Sequence, residues 1–197
     1  MNNEGYIKFS PNWQKAPIEI DPILIDEINR IRSLLIRKGW LGILPNGVGF
    51  GNISVRQNPE NSFLITGSAT GHFKNLDKSH FAIVNKVNIA SNKLDCVGLT
   101  LASSESMTHA VFYENRKAIN TVIHIHSRKL WLEYINRLPT SDKNAQYGTP
   151  EMAASILSIL KTTNTTNGLF VMGGHEDGLI AFGENIDLAY GELSNLI

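Results

Sequence analysis

Hydrophobic residues recur at two spacings along the chain. Across residues 21–39 they fall every three or four positions, which predicts an amphipathic helix. Across residues 47–97 they fall in short runs separated by Asn, Gly and Pro, which predicts strands at 53–56, 63–65, 81–87 and 94–97. The turn at Asn58-Pro59-Glu60-Asn61 predicts a hairpin between the first two of these strands. The first half of the chain is therefore expected to be mostly β.

The second half mixes helical and strand patterns without a regular strand–helix alternation. Helices are predicted at residues 104–116, 127–138, 149–161 and 186–196, and strands at 120–126, 169–172 and 179–182. Ser104 and Thr149 are expected to cap two of these helices. The mixture predicts the α/β class, as a three-layer α/β/α domain around a largely antiparallel central sheet. A single domain is expected over residues 1–197, with residues 1–20 as an N-terminal arm.

Composition and charge narrow the classes of partner and location. Eighteen basic residues balance eighteen acidic ones and no basic stripe is present, so nucleic acid is not expected as a partner. The only cysteine is Cys96 and the first residues lack the pattern of a signal peptide, which predicts a cytoplasmic protein. The longest uncharged stretch, residues 39–55, is broken by glycines and a proline, so no membrane association is expected.

Two histidines on one predicted strand form the first candidate site. Side chains two residues apart on a strand point to the same face, so His124 and His126 project together while two isoleucines fill the other face. Such a pair is half of a zinc site, and a catalytic zinc typically has three protein ligands plus an open position. His175 is the candidate for the third ligand. The alternative is that the pair is simply the polar face of a half-buried strand.

The order of several motifs along the chain resembles one known family. The motifs are Gly51-Asn52-Ile53-Ser54-Val55-Arg56, Leu64-Ile65-Thr66, Ser103-Ser104-Glu105, His124-Ile125-His126 and His175. Together they resemble the class II aldolase/adducin family, over residues 39–190. The resemblance implies an α/β/α fold, a divalent metal that is usually zinc, and a small-molecule substrate, typically a phosphorylated sugar or a related carbonyl compound. It also implies a homotetramer.

The resemblance assigns roles to the metal and acid/base residues. It places His124, His126 and His175 on the metal ligands and Glu105 on the catalytic acid/base. A metal that binds a ketose carbonyl and the neighbouring hydroxyl stabilises the enediolate formed when the adjacent bond breaks, and a nearby carboxylate moves the proton. The alternative for Glu105 is a surface acid in the first turn of a helix. His109, one helical turn later, is expected to pack or to orient a neighbour.

The resemblance also implies an anion-binding subsite built from backbone N–H groups and hydroxyls. The candidates for substrate binding are Gly51, Asn52, Thr70, Gly71, Ser103 and Ser104. Their alternative role is ordinary turn and capping chemistry. The segment from Thr66 to Gly71 departs from the shorter turn of many members, so either Ser68 or Thr70 is the hydroxyl that faces the anion.

Two further departures from the family pattern bear on function. Glu176 and Asp177 stand between His175 and the next glycine, where they are expected to tune the metal or to contact a substrate. The tyrosines that sugar-phosphate aldolases of the family place in a longer insertion and tail have no secure counterpart, so a neighbouring subunit is expected to close the pocket. The tryptophans, which are either subunit contacts or core residues, are Trp13, Trp40 and Trp131.

The expected function is that of a metal-dependent, aldolase-type lyase acting on a small hydroxylated carbonyl compound, with or without a phosphate. Epimerase or dehydratase chemistry on a sugar phosphate is the nearest alternative, because the same metal-stabilised enediolate serves all three reactions. The alternative from another class is a non-catalytic, adducin-like interaction domain, since a fold alone does not fix function. That class is expected to lack the metal histidines.

Overall fold

An eight-stranded sheet organises the computed structural model, which describes residues 7–196. The strands are β1 (Ser10–Gln14), β2 (Gly42–Ile43), β3 (Gly49–Phe50), β4 (Asn52–Arg56), β5 (Phe63–Thr66), β6 (Phe81–Asn88), β7 (Lys93–Gly98), β8 (Thr121–His126), β9 (Gly168–Val171) and β10 (Gly178–Gly183). The helices are α1 (Pro22–Arg37), α2 (Ser106–Asn115), α3 (Arg128–Tyr134), α4 (Pro150–Thr162) and α5 (Ile186–Ser194), with a 3-10 turn at Lys78–His80. The sheet order is β1-β7-β6-β5-β4-β8-β10-β9, and β2 pairs separately with β3.

The sheet is antiparallel throughout, apart from the parallel pair of β1 and β7. Side chains that alternate along the strands divide the core into two hydrophobic clusters. Phe63 and Ile65 belong to the cluster that contains residues of α2 and α4, whereas Leu64 belongs to the cluster that contains residues of α1, α3 and α5. Helices therefore cover both faces of the sheet, which confirms the predicted α/β class and its three layers.

Local capping chemistry explains where two of the helices begin. Thr149 accepts a hydrogen bond from Met152 N at the start of α4, as predicted. The prediction that Ser104 caps α2 is wrong, because Glu105 occupies the cap position and makes no capping bond with its side chain. The turn before α2 is closed instead by Ser103, whose hydroxyl oxygen accepts a hydrogen bond from Glu105 N.

Two segments differ from the sequence-based expectation. Residues 1–6 of the expected arm lie outside the described residues, and Ser10–Gln14 of the same stretch forms the edge strand β1. All five residues of β1 are exposed, so this strand carries no alternating hydrophobic pattern. Helix α3 ends at Tyr134, before the predicted residue 138. It ends early because Asn136 has a φ of 62°, in the left-handed region that terminates helices.

A chain of buried polar side chains links β4 to α2. Ser54 Oγ lies 2.7 Å from His109 Nδ1 and 2.6 Å from the Tyr113 hydroxyl, and all three residues are fully buried. Burial lowers the pKa of His109 to about 3 and raises the pKa of Tyr113. His109 is therefore a neutral ring that holds α2 against the sheet, which confirms that it packs and orients a neighbour.

Replacing His109 with Asn should make the stability of the metal-free protein less sensitive to acid. The unfolded imidazole takes up a proton below about pH 6.5, whereas the folded one stays neutral down to about pH 3. The unfolded state binds more protons in this window, so one such histidine lowers the free energy of unfolding by about 2 kcal/mol at about pH 5. Urea unfolding at about pH 7 and about pH 5 should show that acidification lowers the free energy of unfolding by about 2 kcal/mol less in His109→Asn than in the parent.

His72 provides the matched control, because its ring is exposed on the surface. His72→Asn should keep the pH dependence of the parent. An equal loss of stability on acidification in the parent and in His109→Asn would contradict a buried, neutral imidazole at this position.

Candidate functional site

The three histidines of the predicted metal site meet at one end of the central strands. His124 and His126 lie on β8, which pairs with β10 so that Gly178 stands opposite His126. His175 lies in the turn between β9 and β10, which is closed by a hydrogen bond from Gly178 N to His175 O. One ligand atom from each of the three rings lies within 4.8 Å of the other two. Antiparallel pairing thus brings together residues that are distant in sequence.

The hydrogen bond and charge state of His124, and its distance from His126, suit metal coordination. His124 Nδ1 donates to Leu179 O at 3.0 Å, which leaves Nε2 with a lone pair. His124 Nε2 lies 3.1 Å from His126 Nε2, close to the edge of a zinc tetrahedron, which is about 3.3 Å for Zn–N bonds of about 2.05 Å. Burial, together with the neighbouring imidazoles, holds the pKa of His124 well below its ordinary value, so the ring is neutral, as a ligand must be. The donor set therefore fits a divalent metal.

Glu105 lies beside the histidine cluster, at the start of α2. Its side chain is 2% exposed, and its Oε1 atom lies 3.4 Å from His175 Nδ1. The alternative of a surface acid in a first helical turn is therefore wrong. A buried carboxylate next to an imidazole can hold a proton or pass it on to a bound molecule. The structure thus brings the predicted acid/base group to the predicted ligands.

Tyr147 is a site residue that the sequence did not predict. Its ring stacks on the ring of His175, with centroids 4.8 Å apart and planes inclined by 31°. Lys8 Nζ lies 3.8 Å from the centroid of the Tyr147 ring, so a cation also stands near this wall of the site. The adjoining Gly148 has a φ of 66°, and a Cβ atom there would lie 2.8 Å from Ser104 O. The loop before α4 therefore packs directly on the turn of Ser103 and Ser104, called the serine turn below. In the sequence, the glycine is the only signal of this contact.

A narrow cleft adjoins Glu105 and contains most of the predicted substrate-binding residues. The residues that line it are Gly49, Phe50, Gly51, Asn52, Gly67, Ser68, Ala69, Ser103, Ser104 and Glu105. The predicted residues Gly51, Asn52, Ser103 and Ser104 are in this set. The predicted residues Thr70 and Gly71 are not, although both belong to the segment of residues 67–73, called the anion loop below.

The structure favours Ser68 over Thr70 as the hydroxyl that faces the cleft. The Thr70 hydroxyl is buried and donates a 2.8 Å hydrogen bond to Gly67 O within the anion loop. Ser68 is partly exposed and lines the cleft. Ala69, between them, has a φ of 60°, so the chain turns sharply at this point. The sequence leaves both Ser68 and Thr70 as candidates, because the register of the longer turn is uncertain.

Gly51 and Asn52 join the cleft to the sheet. Gly51 has a φ of 77°, and a Cβ atom there would collide with the side chain of Leu41, so only glycine suits this position. Asn52 stands opposite His124 in the pairing of β4 with β8. Its Nδ2 atom donates a 3.0 Å hydrogen bond to Ser103 Oγ, which ties the serine turn to the histidine strand.

Glu176 and Asp177 pair with a cation on the surface. Arg128 Nη1 lies 2.5 Å from Glu176 Oε1 and 3.4 Å from Asp177 Oδ1. Neither carboxylate belongs to the histidine cluster found among the described residues. Arg128 offsets one of their two negative charges, and the expectation that they tune the metal or contact a substrate stays a prediction.

A second surface pocket, of about 360 Å³, lies at the opposite end of β4. Arg56 lines it, and the guanidinium group donates to the carbonyl oxygens of Tyr113, Arg116 and Ile119. These bonds secure the chain after α2, and the pocket contains none of the predicted site residues.

Among residues 7–196, no helix has both the length and the apolar character needed to cross a bilayer.

The tryptophans differ in burial. Trp40 is a core residue, and Trp131 is partly buried and donates from its indole to Met172 O. Trp13 is 36% exposed on the edge strand β1, where its indole donates to Gly98 O. Trp40 therefore needs no subunit contact to bury it.

Solved structures of sugar-phosphate aldolases share this fold. An L-fuculose 1-phosphate aldolase is 21% identical, with a TM-score of 0.66 over 90% of this chain and 84% of that one. A sugar-phosphate aldolase from Thermotoga maritima is 17% identical, with a TM-score of 0.65 over 87% and 89% of the two chains. An L-fuculose-1-phosphate aldolase from Thermus thermophilus is 21% identical, with a TM-score of 0.60 over 88% of each chain. No curated protein sequence matches the chain.

The sequence itself carries the family relationship. The family model described as Class II Aldolase and Adducin N-terminal domain matches residues 28–196, which include the sheet strands from β4 to β10 and all the predicted site residues. This match and the shared fold lead to one conclusion: the chain belongs to the class II aldolase and adducin family.

Proposed function

We propose that the protein is a metal-dependent lyase of the aldolase type, which cleaves or forms a carbon–carbon bond in a small hydroxylated carbonyl compound bearing an anionic group. The observation that carries this proposal is the buried cluster of His124, His126 and His175 against Glu105. The same cluster argues against a non-catalytic, adducin-like interaction domain, which has no need of three convergent imidazoles and a buried carboxylate.

Zinc is the proposed metal, because imidazole nitrogen suits it and the only thiol, Cys96, is buried in the core. When bound, the metal supplies a Lewis acid that polarises a carbonyl and its neighbouring hydroxyl. The three histidines would hold it, with the ring of Tyr147 packed against that of His175. Leu179 O accepts the hydrogen bond from His124 Nδ1 and so fixes the tautomer of that ring.

Glu105 is the proposed acid/base. In the cleavage direction, the carbon left behind after the carbon–carbon bond breaks must gain a proton, and in the synthesis direction the same carbon must lose it. A carboxylate that stands at the cleft and against the histidine cluster can perform both transfers. A second group must take the proton of the hydroxyl on the departing fragment, and we assign no residue of the chain to that step.

The cleft walls are proposed to bind the anionic group of the substrate. Ser68, Ser103 and Ser104 offer hydroxyls, and the turns around them offer backbone N–H groups. Asn52 holds Ser103 Oγ at 3.0 Å and so fixes one of these hydroxyls. A location in the cytoplasm stays a prediction, which the single free cysteine, Cys96, supports.

The purified protein should carry about one zinc per chain, held by the three histidines. His124→Ala, His126→Ala and His175→Ala should each lower the zinc content strongly, because two imidazoles do not complete a catalytic zinc site. Inductively coupled plasma mass spectrometry of dialysed protein gives the stoichiometry. His72→Ala, at an exposed histidine outside the cluster, is the control and should keep its zinc. Unchanged zinc in all three cluster variants would remove the ligand assignment.

Glu105→Gln should retain zinc and fold but lower turnover by at least about 100-fold, because the amide has the shape of the carboxylate but cannot carry a proton. Turnover is measurable as aldehyde release from hydroxyketone substrates, or as deuterium exchange into dihydroxyacetone and its phosphate followed by NMR. Glu114→Gln, on an exposed position of the same helix, should leave these rates near the parent's. Equal rates in Glu105→Gln and the parent would exclude Glu105 from the proton transfer.

Assembly into a homotetramer is proposed together with a site completed by a neighbouring subunit. Exposed apolar side chains at Ile23, Ile43, Leu132 and Leu188 support subunit contacts. Light scattering should then show a tetramer, and dilution that dissociates it should lower activity in proportion. A monomer with full activity at the assay concentration would exclude the shared site.

A further inference from the structure

Arg32 is a buried charge without a counter-ion. It lies on α1, its side chain is fully buried, and its Nη2 atom donates to Thr70 O at 3.1 Å and to Phe73 O at 2.8 Å. Its Nε and Nη1 atoms have no hydrogen-bond partner among residues 7–196, and no described carboxylate forms an ion pair with it. Taking an unpaired charge out of water is costly, so a guanidinium retained in this position needs a reason.

Both acceptors of Arg32 belong to the anion loop, whose Ser68 lines the candidate cleft. Asn29, one helical turn before Arg32, binds both the N–H and the C=O of Leu76 just beyond the loop. Helix α1 therefore secures the segment behind the cleft with two side chains. Of these two, only Arg32 brings a charge.

The charge matters because the cleft has no cation in its own lining. The lining side chains include no Lys or Arg, and Glu105 adds a carboxylate. A guanidinium bound to a carbonyl oxygen draws electron density from that peptide unit, so the N–H group on the same unit becomes a stronger donor. Thr70 O shares its peptide unit with the Gly71 N–H, whose nitrogen packs behind Gly49 of the cleft lining: a Cβ atom at Gly49 would lie 2.9 Å from it. Burial lowers the pKa of Arg32 to about 10, which still leaves the group charged at neutral pH.

We propose that Arg32 is a positioning residue that turns the anion loop into a site for a phosphate group, by holding the loop carbonyls and supplying the positive charge that the cleft lining lacks. The group recognised is a phosphate monoester on the substrate. Arg32 acts through the loop without touching the ligand. This inference rests on the proposed function only for the identity of the substrate.

Arg32 could act through its charge or only by anchoring the loop, and these two roles predict different results for substitutions at this position. Arg32→Gln removes the charge but keeps one donor for a loop carbonyl, whereas Arg32→Lys keeps the charge and a donor but loses the planar fork. If the charge matters, Arg32→Lys should retain most of the phosphate affinity and Arg32→Gln should lose it. If Arg32 only anchors the loop, the two variants should weaken phosphate binding equally.

The test is isothermal titration calorimetry of the zinc-loaded protein with inorganic phosphate at fixed ionic strength. We expect Arg32→Gln to weaken phosphate binding by at least about 10-fold and Arg32→Lys by no more than about 3-fold. Arg30→Gln is the matched control, because Arg30 lies two residues away on the same helix and pairs on the surface with Asp187. It should bind phosphate as the parent does. Equal losses in the two Arg32 variants, or no loss in Arg32→Gln, would overturn the proposal.

A measurement on the parent keeps the proposal testable if the Arg32 variants do not fold. Adding phosphate should shift the NMR resonances of the Gly71 amide and of Arg32 Nε–H, while Arg30 Nε–H stays in place. Phosphate that bound the metal instead would lose its affinity in His126→Ala, whereas phosphate on the loop should keep it. A parent that binds zinc but no phosphate overturns this inference and leaves the lyase proposal standing. A parent that binds phosphate but no zinc supports this inference and overturns the proposal of a metal-dependent lyase.

Discussion

The position of β8 between β4 and β10 is the constraint on which the rest of the site depends. Pairing on both sides fixes the register of the strand, so that His124 stands opposite Asn52 on one side and Ile180 on the other. The isoleucines at 123 and 125 are fully buried in the core. A slip of one residue would turn both isoleucines towards the histidine face and both histidines into the hydrophobic cluster of α1, α3 and α5. Hydrophobic burial on one face of β8 thereby fixes His124 and His126, two of the proposed metal ligands, on the other.

Close packing of backbone against backbone makes the surroundings of this strand rigid. A Cβ atom at Gly71 would collide with Phe50 O, and one at Gly49 would lie 2.8 Å from Ala69 O. The anion loop and strand β3 are therefore in contact without side chains between them. Donors on such a loop are fixed before a ligand arrives, which reduces the reorganisation that binding would otherwise require.

The sequence predicts those parts of the molecule that depend on local patterns. The alternation in β8, the helical spacing in α1 and the cap at Thr149 each act over a few residues, and each is confirmed. The missed features depend on tertiary neighbours. Strand β1 has no apolar face because it pairs at an exposed edge, and Tyr147 joins the site only because the loop before α4 folds onto the serine turn. Arg32 reads in sequence as one more charge on an amphipathic helix, and only the fold shows that it is buried.

The helices on the two faces of the sheet place opposite charges near one cleft. Helix α2 brings Glu105 to it, and the buried His109 of the same helix is neutral. Helix α1, on the other side, brings the charge of Arg32 to the back of the anion loop. A substrate in the cleft is therefore expected to place its anionic group towards Ser68 and its reacting carbonyl towards Glu105 and the histidines. In this proposal, the charges that orient the substrate come from the helices that cover the sheet, while the sheet and its β9–β10 turn contribute the proposed metal ligands.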